Sequence, residues 1–167
     1  MELQEMNQQL KQTREELLTI LSGLRGEQLN KRRDPLSWNI SQICEHLSKT
    51  EELYIIAINR GLKSTKDSFI EIKPLELLLD RNTKINAPDI AKPKDELLEC
   101  EEIIDRLNRS REKLNETLSA IEDPSVLSRR YYKHPFFKEM LLIQWVESLF
   151  LHEQRHIAQI NEILECE

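Results

Sequence analysis

The chain has four histidines, His46, His134, His152 and His156, and two of them sit four residues apart. On a helix that spacing puts both imidazoles on one face, close enough to chelate a single ion. Trp145 and Leu149 precede the pair at helical intervals, and Gln159, Ile160 and Ile163 follow on the same face. The pair therefore lies on an apolar stripe. The plainer reading is two buried histidines, each satisfied by its own hydrogen bond. Adjacent imidazoles in apolar surroundings leave nitrogens that need partners, which favours a shared ion. His46 follows Gln42 and Ile43 by one turn on the inward side of another helix. Three imidazoles from two helices make a three-ligand site with an open position for water or substrate.

The segment His152-Glu153-Gln154-Arg155-His156 also matches H-E-x-x-H, in which a zinc protease uses the Glu as general base. The extended protease forms place Gly and His three and six residues after the second His, where this chain has Gln159 and Glu162. The residues that would complete a protease site are therefore absent from these positions, and for Glu153 a salt bridge competes with the role of base. Gln42 and Gln159 are placed to orient a ligand's second nitrogen or to bond a bound water. For Gln42, helix capping competes. His134 precedes Pro135, which makes its backbone extended and suits it to lining the site at the mouth of a bundle.

Four helical stretches position these residues. The first carries Leu3, Met6, Leu10, Leu17, Ile20, Leu21 and Leu24 and ends near Gly23 and Gly26. The second opens on Asn39-Ile-Ser-Gln42, a capping-box pattern, and Gly61 stops it. Residues 62–93 read as a long crossover lying on the protein body, with a short helical turn near 74–80. The third helix is expected to start just after Pro93, along Leu97, Ile104, Leu107, Leu114, Leu118 and Ile121. The fourth is expected from about Glu139 to Leu164. The fold class expected is all-α, a four-helix bundle with a long crossover between helices 2 and 3, as one domain over 1–167. The charged runs Glu99-Glu101-Glu102 and Arg109-Arg111-Lys113 read as solvated faces, and Arg155 as a bridge to a neighbouring helix.

Composition agrees with helices. In 167 residues there are only 3 Gly and 6 Pro, too few turn formers for an all-β chain. The longest apolar run, 53–58, is far short of the ~20 residues a membrane span needs. With 24 basic and 30 acidic residues the net charge is -6, so nucleic acid is not an expected partner. Met1–Glu5 lacks the features of a signal peptide, and Cys44, Cys100 and Cys166 are too scattered for a disulfide framework. A cytoplasmic setting is expected.

Two blocks carry a family resemblance. The first is Trp38-Asn-Ile-Ser-Gln-Ile-Cys-Glu-His46-Leu47 with Glu51. The second is His134-Pro135, Gln144-Trp145 and His152-Glu-Gln-Arg-His156-Ile-Ala-Gln159-Ile160. In this order they resemble the DinB/YfiT-like superfamily of metalloenzymes, over essentially the whole chain. The resemblance implies a four-helix bundle holding one divalent metal on His46, His152 and His156, the residues that spacing also selects. Asn39 stands where the family has Ser or Thr, which keeps capping chemistry. Lys138 stands where the family often has Gly, which bears on the rim of the site.

Characterised relatives act with low-molecular-weight thiols as transferases and isomerases, and others are described as hydrolases. The expected protein is therefore a metal-dependent enzyme activating water or a small thiol, of hydrolase or thiol S-transferase type. Its cofactor would be one divalent transition metal, zinc or nickel foremost, with a low-molecular-weight thiol as cosubstrate. A small-molecule substrate and a homodimer partner are expected, without nucleic acid or membrane. The rival is a non-catalytic metal-binding or structural stress protein, also dimeric.

Overall fold

The computed structural model describes residues 1–64 and 66–166. Its order is α1 (Leu3–Ser22), α2 (Gly26–Leu29), α3 (Ile40–Leu62), α4 (Cys100–Ser119), β1 (Tyr131–His134), β2 (Lys138–Leu141) and α5 (Leu142–Glu165). The four long helices contain 20, 23, 20 and 24 residues, which at ~1.5 Å per residue makes rods of about 30–36 Å. α1 and α3 each pack against both α4 and α5, closing a four-membered ring. No helix among the described residues is long and apolar enough to cross a membrane.

The cap of α3 forms from the residues that announce it. Asn39 Oδ1 accepts from the Gln42 N–H at 2.8 Å, and Gln42 Oε1 accepts from the Asn39 N–H at 3.0 Å. Gly61 does not stop α3, which continues to Leu62. It is buried against α5, where a Cβ would overlap the Leu142 side chain.

The order and bounds of the elements differ from expectation at three further places. The fold is not purely helical, because β1 and β2 pair antiparallel with Tyr131 opposite Leu141 and His134 opposite Lys138. Their connection is three residues long, and Lys138 takes φ 66°, the left-handed residue that follows such a turn. This is the position at which the related pattern has Gly, the residue for which that φ costs nothing. Second, α5 begins at Leu142, since β2 uses the preceding residues. Third, α4 begins at Cys100, with Leu97 largely exposed and Leu98 buried in its place.

Between α3 and α4 the chain runs from Lys63 to Glu99 and holds two 3-10 turns, Leu75–Leu78 and Asp89–Ala91. α5 pins it. Gln144 exchanges two hydrogen bonds with the backbone of Lys73, its Oε1 accepting at 2.8 Å and its Nε2 donating at 3.0 Å. Arg155 donates to the carbonyls of Leu78, Asp80 and Thr83 at 3.1, 2.8 and 2.7 Å. Arg155 therefore anchors this connection and does not bridge to another helix. Near its end, Lys49 Nζ donates to the Lys92 carbonyl at 2.9 Å and the Lys94 N–H donates to Glu45 at 3.2 Å.

The core has two apolar halves. One gathers Met6, Leu10, Ile58, Leu114, Met140, Trp145 and Val146; the other gathers Leu17, Leu21, Ile40, Ile43, Leu107, Ile157 and Ile160. Between them lies a polar belt contributed by all four long helices. Arg14 and Arg111 both bond Glu51 and Glu153, and Ser110 Oγ donates to Glu51 at 2.8 Å. Two cations against two anions leave the buried belt neutral, which is the condition for burying charge at tolerable cost. Arg111 is thus a core residue, contrary to the reading of its run as a solvated face.

Candidate metal centre

His46 projects from the second turn of α3, and His152 and His156 from successive turns of α5. Their Nε2 atoms converge. His152 Nε2 lies 3.1 Å from His46 Nε2 and 3.1 Å from His156 Nε2, and one ligand atom from each residue falls within 4.8 Å of the others. Nitrogens ~2.0–2.1 Å from a tetrahedral ion lie about 3.3 Å from one another, so both contacts of His152 are within a few tenths of an ångström of ligating separation.

The ring protons at the cluster do not match its contacts. His46 Nδ1–H donates to the Ala91 carbonyl at 2.7 Å, and His156 Nδ1–H donates to Gln159 Oε1 at 2.7 Å. Each of those neutral rings therefore presents an unprotonated Nε2 to the centre. His152 can supply at most one proton for two nitrogen–nitrogen contacts, so one contact sets two lone pairs face to face. A cation resolves that mismatch. A proton on the rings does not serve as well, because burial holds all three below the usual histidine range. His156 is pushed down to about 3 by burial and by His46, and His152 well down by burial and by His156 and His46. Burial lowers His46 against the opposing bond to Ala91. Neutral imidazole is the form that ligates. Three neutral nitrogens fit a borderline divalent ion such as zinc or nickel better than a hard, oxygen-seeking one.

The centre is reached through a cavity of about 310 Å³ that opens to solvent and has all three histidines in its wall. His134 also lines it. Its Nδ1 accepts from the backbone N–H groups of Phe136 and Phe137 at 3.0 and 3.1 Å, so its proton sits on Nε2 and is donated to Tyr54 Oη at 2.8 Å. Tyr54 is thereby left to donate its own proton elsewhere. Burial pushes His134 down to about 4 and Tyr54 up to about 12, so both are neutral at pH 7.

Not every predicted residue comes to this point. Gln159 bonds His156, and His134 lines the cavity without a hydrogen bond that reaches the three imidazoles among the described residues. Gln42 spends its side-chain oxygen on the α3 cap. Glu153 turns away from the histidines into the polar belt, where its Oε2 accepts from Arg14 Nε and Nη2 and from Arg111 Nη2. One step along a helix is ~100°, enough to separate it from His152's face. Two participants escape sequence reasoning. The Ala91 carbonyl is a backbone group forty-five residues from His46 and leaves no signal in side-chain types. Tyr54 lies on the α3 stripe eight residues after His46, a spacing that signals the shared face, but its pattern reads as core.

This ring of helices, with three histidines from α3 and α5 at one cavity, agrees with what comparison finds. Residues 9–160 match the model of the DinB superfamily, and the chain belongs to that superfamily. It is 30% identical over 145 residues to YuaE, an uncharacterized protein of Bacillus subtilis (strain 168), covering 87% of this chain and 88% of YuaE. It is also similar to the crystal structure of TT2238, a four-helix bundle protein, with a TM-score of 0.65 and 20% identity. That match covers 95% of this chain and 98% of the other.

Proposed function

We propose that this protein is a metal-dependent enzyme in which His46, His152 and His156 hold one divalent transition ion, zinc or nickel. The substrate is a small molecule taken into the adjoining cavity. The carrying observation is the set of three converging Nε2 atoms in the wall of a solvent-open cavity. A closed structural site would instead surround its ion with four protein ligands.

When bound, the ion supplies Lewis acidity and lowers the pKa of a water or small thiol at its open position, giving a nucleophile near neutral pH. The chain's own residues do the rest. The Ala91 carbonyl and Gln159 hold the His46 and His156 rings in the ligating tautomer, which raises their basicity. The backbone of Phe136 and Phe137 fixes His134, whose Nε2–H donates to Tyr54 Oη in the cavity wall. Trp38 and Trp145 add apolar surface to the cavity wall. Hydrolysis and thiol S-transfer, with a low-molecular-weight thiol as cosubstrate, are the two reaction types this arrangement serves.

The test is a screen of ester, amide and electrophile-plus-thiol substrates, run with protein loaded with zinc or nickel and with His156→Ala under the same conditions. Turnover that requires both the ion and His156 supports the proposal. Turnover that is equal in His156→Ala, or absent across the screen with the ion demonstrably bound, counts against it.

A further inference from the structure

The cavity has a charge bias opposite to that of the chain. The sequence has 30 acidic and 24 basic residues, yet among the described residues the cavity wall contains Arg60, Lys133 and Arg155 and no Asp or Glu. Among the described residues none of these three cations forms an ion pair. Arg60 donates only to Tyr132 Oη, at 3.2 Å, and Arg155 bonds only backbone carbonyls. Glu139 stands opposite Lys133 in the hairpin without pairing with it. Low-dielectric walls around a concentration of one charge sign select ligands of the other sign.

Most of the exposed surface of the same wall is apolar, and α3 sets its length. His46, Thr50, Leu53, Ala57 and Arg60 follow at steps of four, three, four and three, one stripe of the helix facing the cavity. From His46 to Arg60 is fourteen residues, ~21 Å along the axis, so the imidazoles and the guanidinium mark the two ends of the stripe. At the rim Ile56, Ile90 and Phe136 are exposed large apolar side chains. Single exposed apolar residues are ordinary, but three around one opening into an apolar cavity extend its surface outward.

We infer that the cavity takes an elongated apolar molecule with a terminal carboxylate. The apolar body lies along α3 with its reactive end at the histidines, and the carboxylate lies between Arg60 and Lys133. This rests on the reading of the cavity as the substrate site, but it does not depend on an ion being bound.

The test therefore uses full-length protein kept metal-free with excess chelator. Both tryptophans of the chain, Trp38 and Trp145, line the cavity, so their fluorescence reports occupancy. Decanoate, decanol and decylamine are titrated into wild type and into the Arg60→Met/Lys133→Met variant, whose two sites are exposed. Decanoate should bind wild type about ten-fold more tightly than decanol, decylamine more weakly than either, and the acid's advantage should shrink with added salt. The double variant should lose that advantage and keep decanol binding. Equal affinity for acid and alcohol, an advantage that survives in the double variant, or no response to any of the three overturns the inference. Failure of metal binding would leave these results untouched, and the two readings can fail separately.

Discussion

Glu153 gives the sharpest division between a residue that serves the ion and one that holds the fold. It lies inside an H-E-x-x-H segment, yet its side chain is 3% exposed and committed to the polar belt. Its Oε2 accepts at 3.2 and 2.9 Å from Arg14 and at 3.1 Å from Arg111. Glu153→Ala removes three charge-assisted hydrogen bonds and leaves two buried guanidiniums against Glu51 alone. Truncating one side of a buried ion pair costs ~3–5 kcal/mol. For a chain of this size that lowers Tm by roughly 8–16 °C. Metal affinity should not change, because the belt and the imidazoles share no hydrogen bond. Denaturant melts followed by circular dichroism, with calorimetric metal titration on the same preparations, measure both quantities. The Arg14→Met/Glu153→Met double variant should be less destabilised than the sum of the single changes, since it removes cation and anion together. A stability loss under about 1 kcal/mol, the range of exposed pairs, would refute the argument. So would loss of metal binding with stability intact, which would return Glu153 to the ion.

Lys138→Gly should stabilise the protein by about 1 kcal/mol, because Lys138 holds φ 66°. A lower denaturant midpoint for that variant would contradict the strain argument. Gln159→Ala should keep the site but weaken metal affinity ~10–100-fold, the usual effect of removing a ligand's hydrogen-bond partner. Unchanged affinity by calorimetry would make Gln159 a packing residue. Acid should destabilise the metal-free protein. His134 is pushed from 6.5 down to about 4 by burial, so between those values the unfolded chain takes up a proton that the native state refuses. Stability falls as pH drops through that window, with a His134 share of up to about 3 kcal/mol, and is unaffected by this group above pH 7. Melts at fixed ionic strength from pH 7 to 4.5 check it, and a flat profile would contradict it.

Much of the candidate site was legible because it sits on regular helices. The i, i+4 spacing of His152 and His156 within the stripe of Trp145 and Leu149 needs only the period of a helix, and His46 shares the buried face of Ile43 and Leu47. What escaped was long-range or exceptional. Arg14, Glu51, Arg111 and Glu153 look like surface charges one by one, and only packing shows that they neutralise each other inside the core. Strands of four residues around Pro135 leave no alternating pattern long enough to separate from a helix start. The run Met140-Leu141-Leu142-Ile143 is apolar on every face, so it cannot mark where β2 hands over to α5. Leu97 and Leu98 are equally apolar, and only the arrival of the connection beside α3 decides which is buried.

The central claim is that three imidazoles bind one ion. Protein purified without a histidine tag, stripped by chelator and titrated with zinc or nickel by calorimetry measures this directly. One ion per chain is expected, with helical structure retained in the metal-free protein and tight binding lost in each of His46→Ala, His152→Ala and His156→Ala. In the structure of the loaded protein the three ring nitrogens should lie ~2.0–2.2 Å from the ion. Binding that survives His46→Ala, or no binding by wild type, would contradict it.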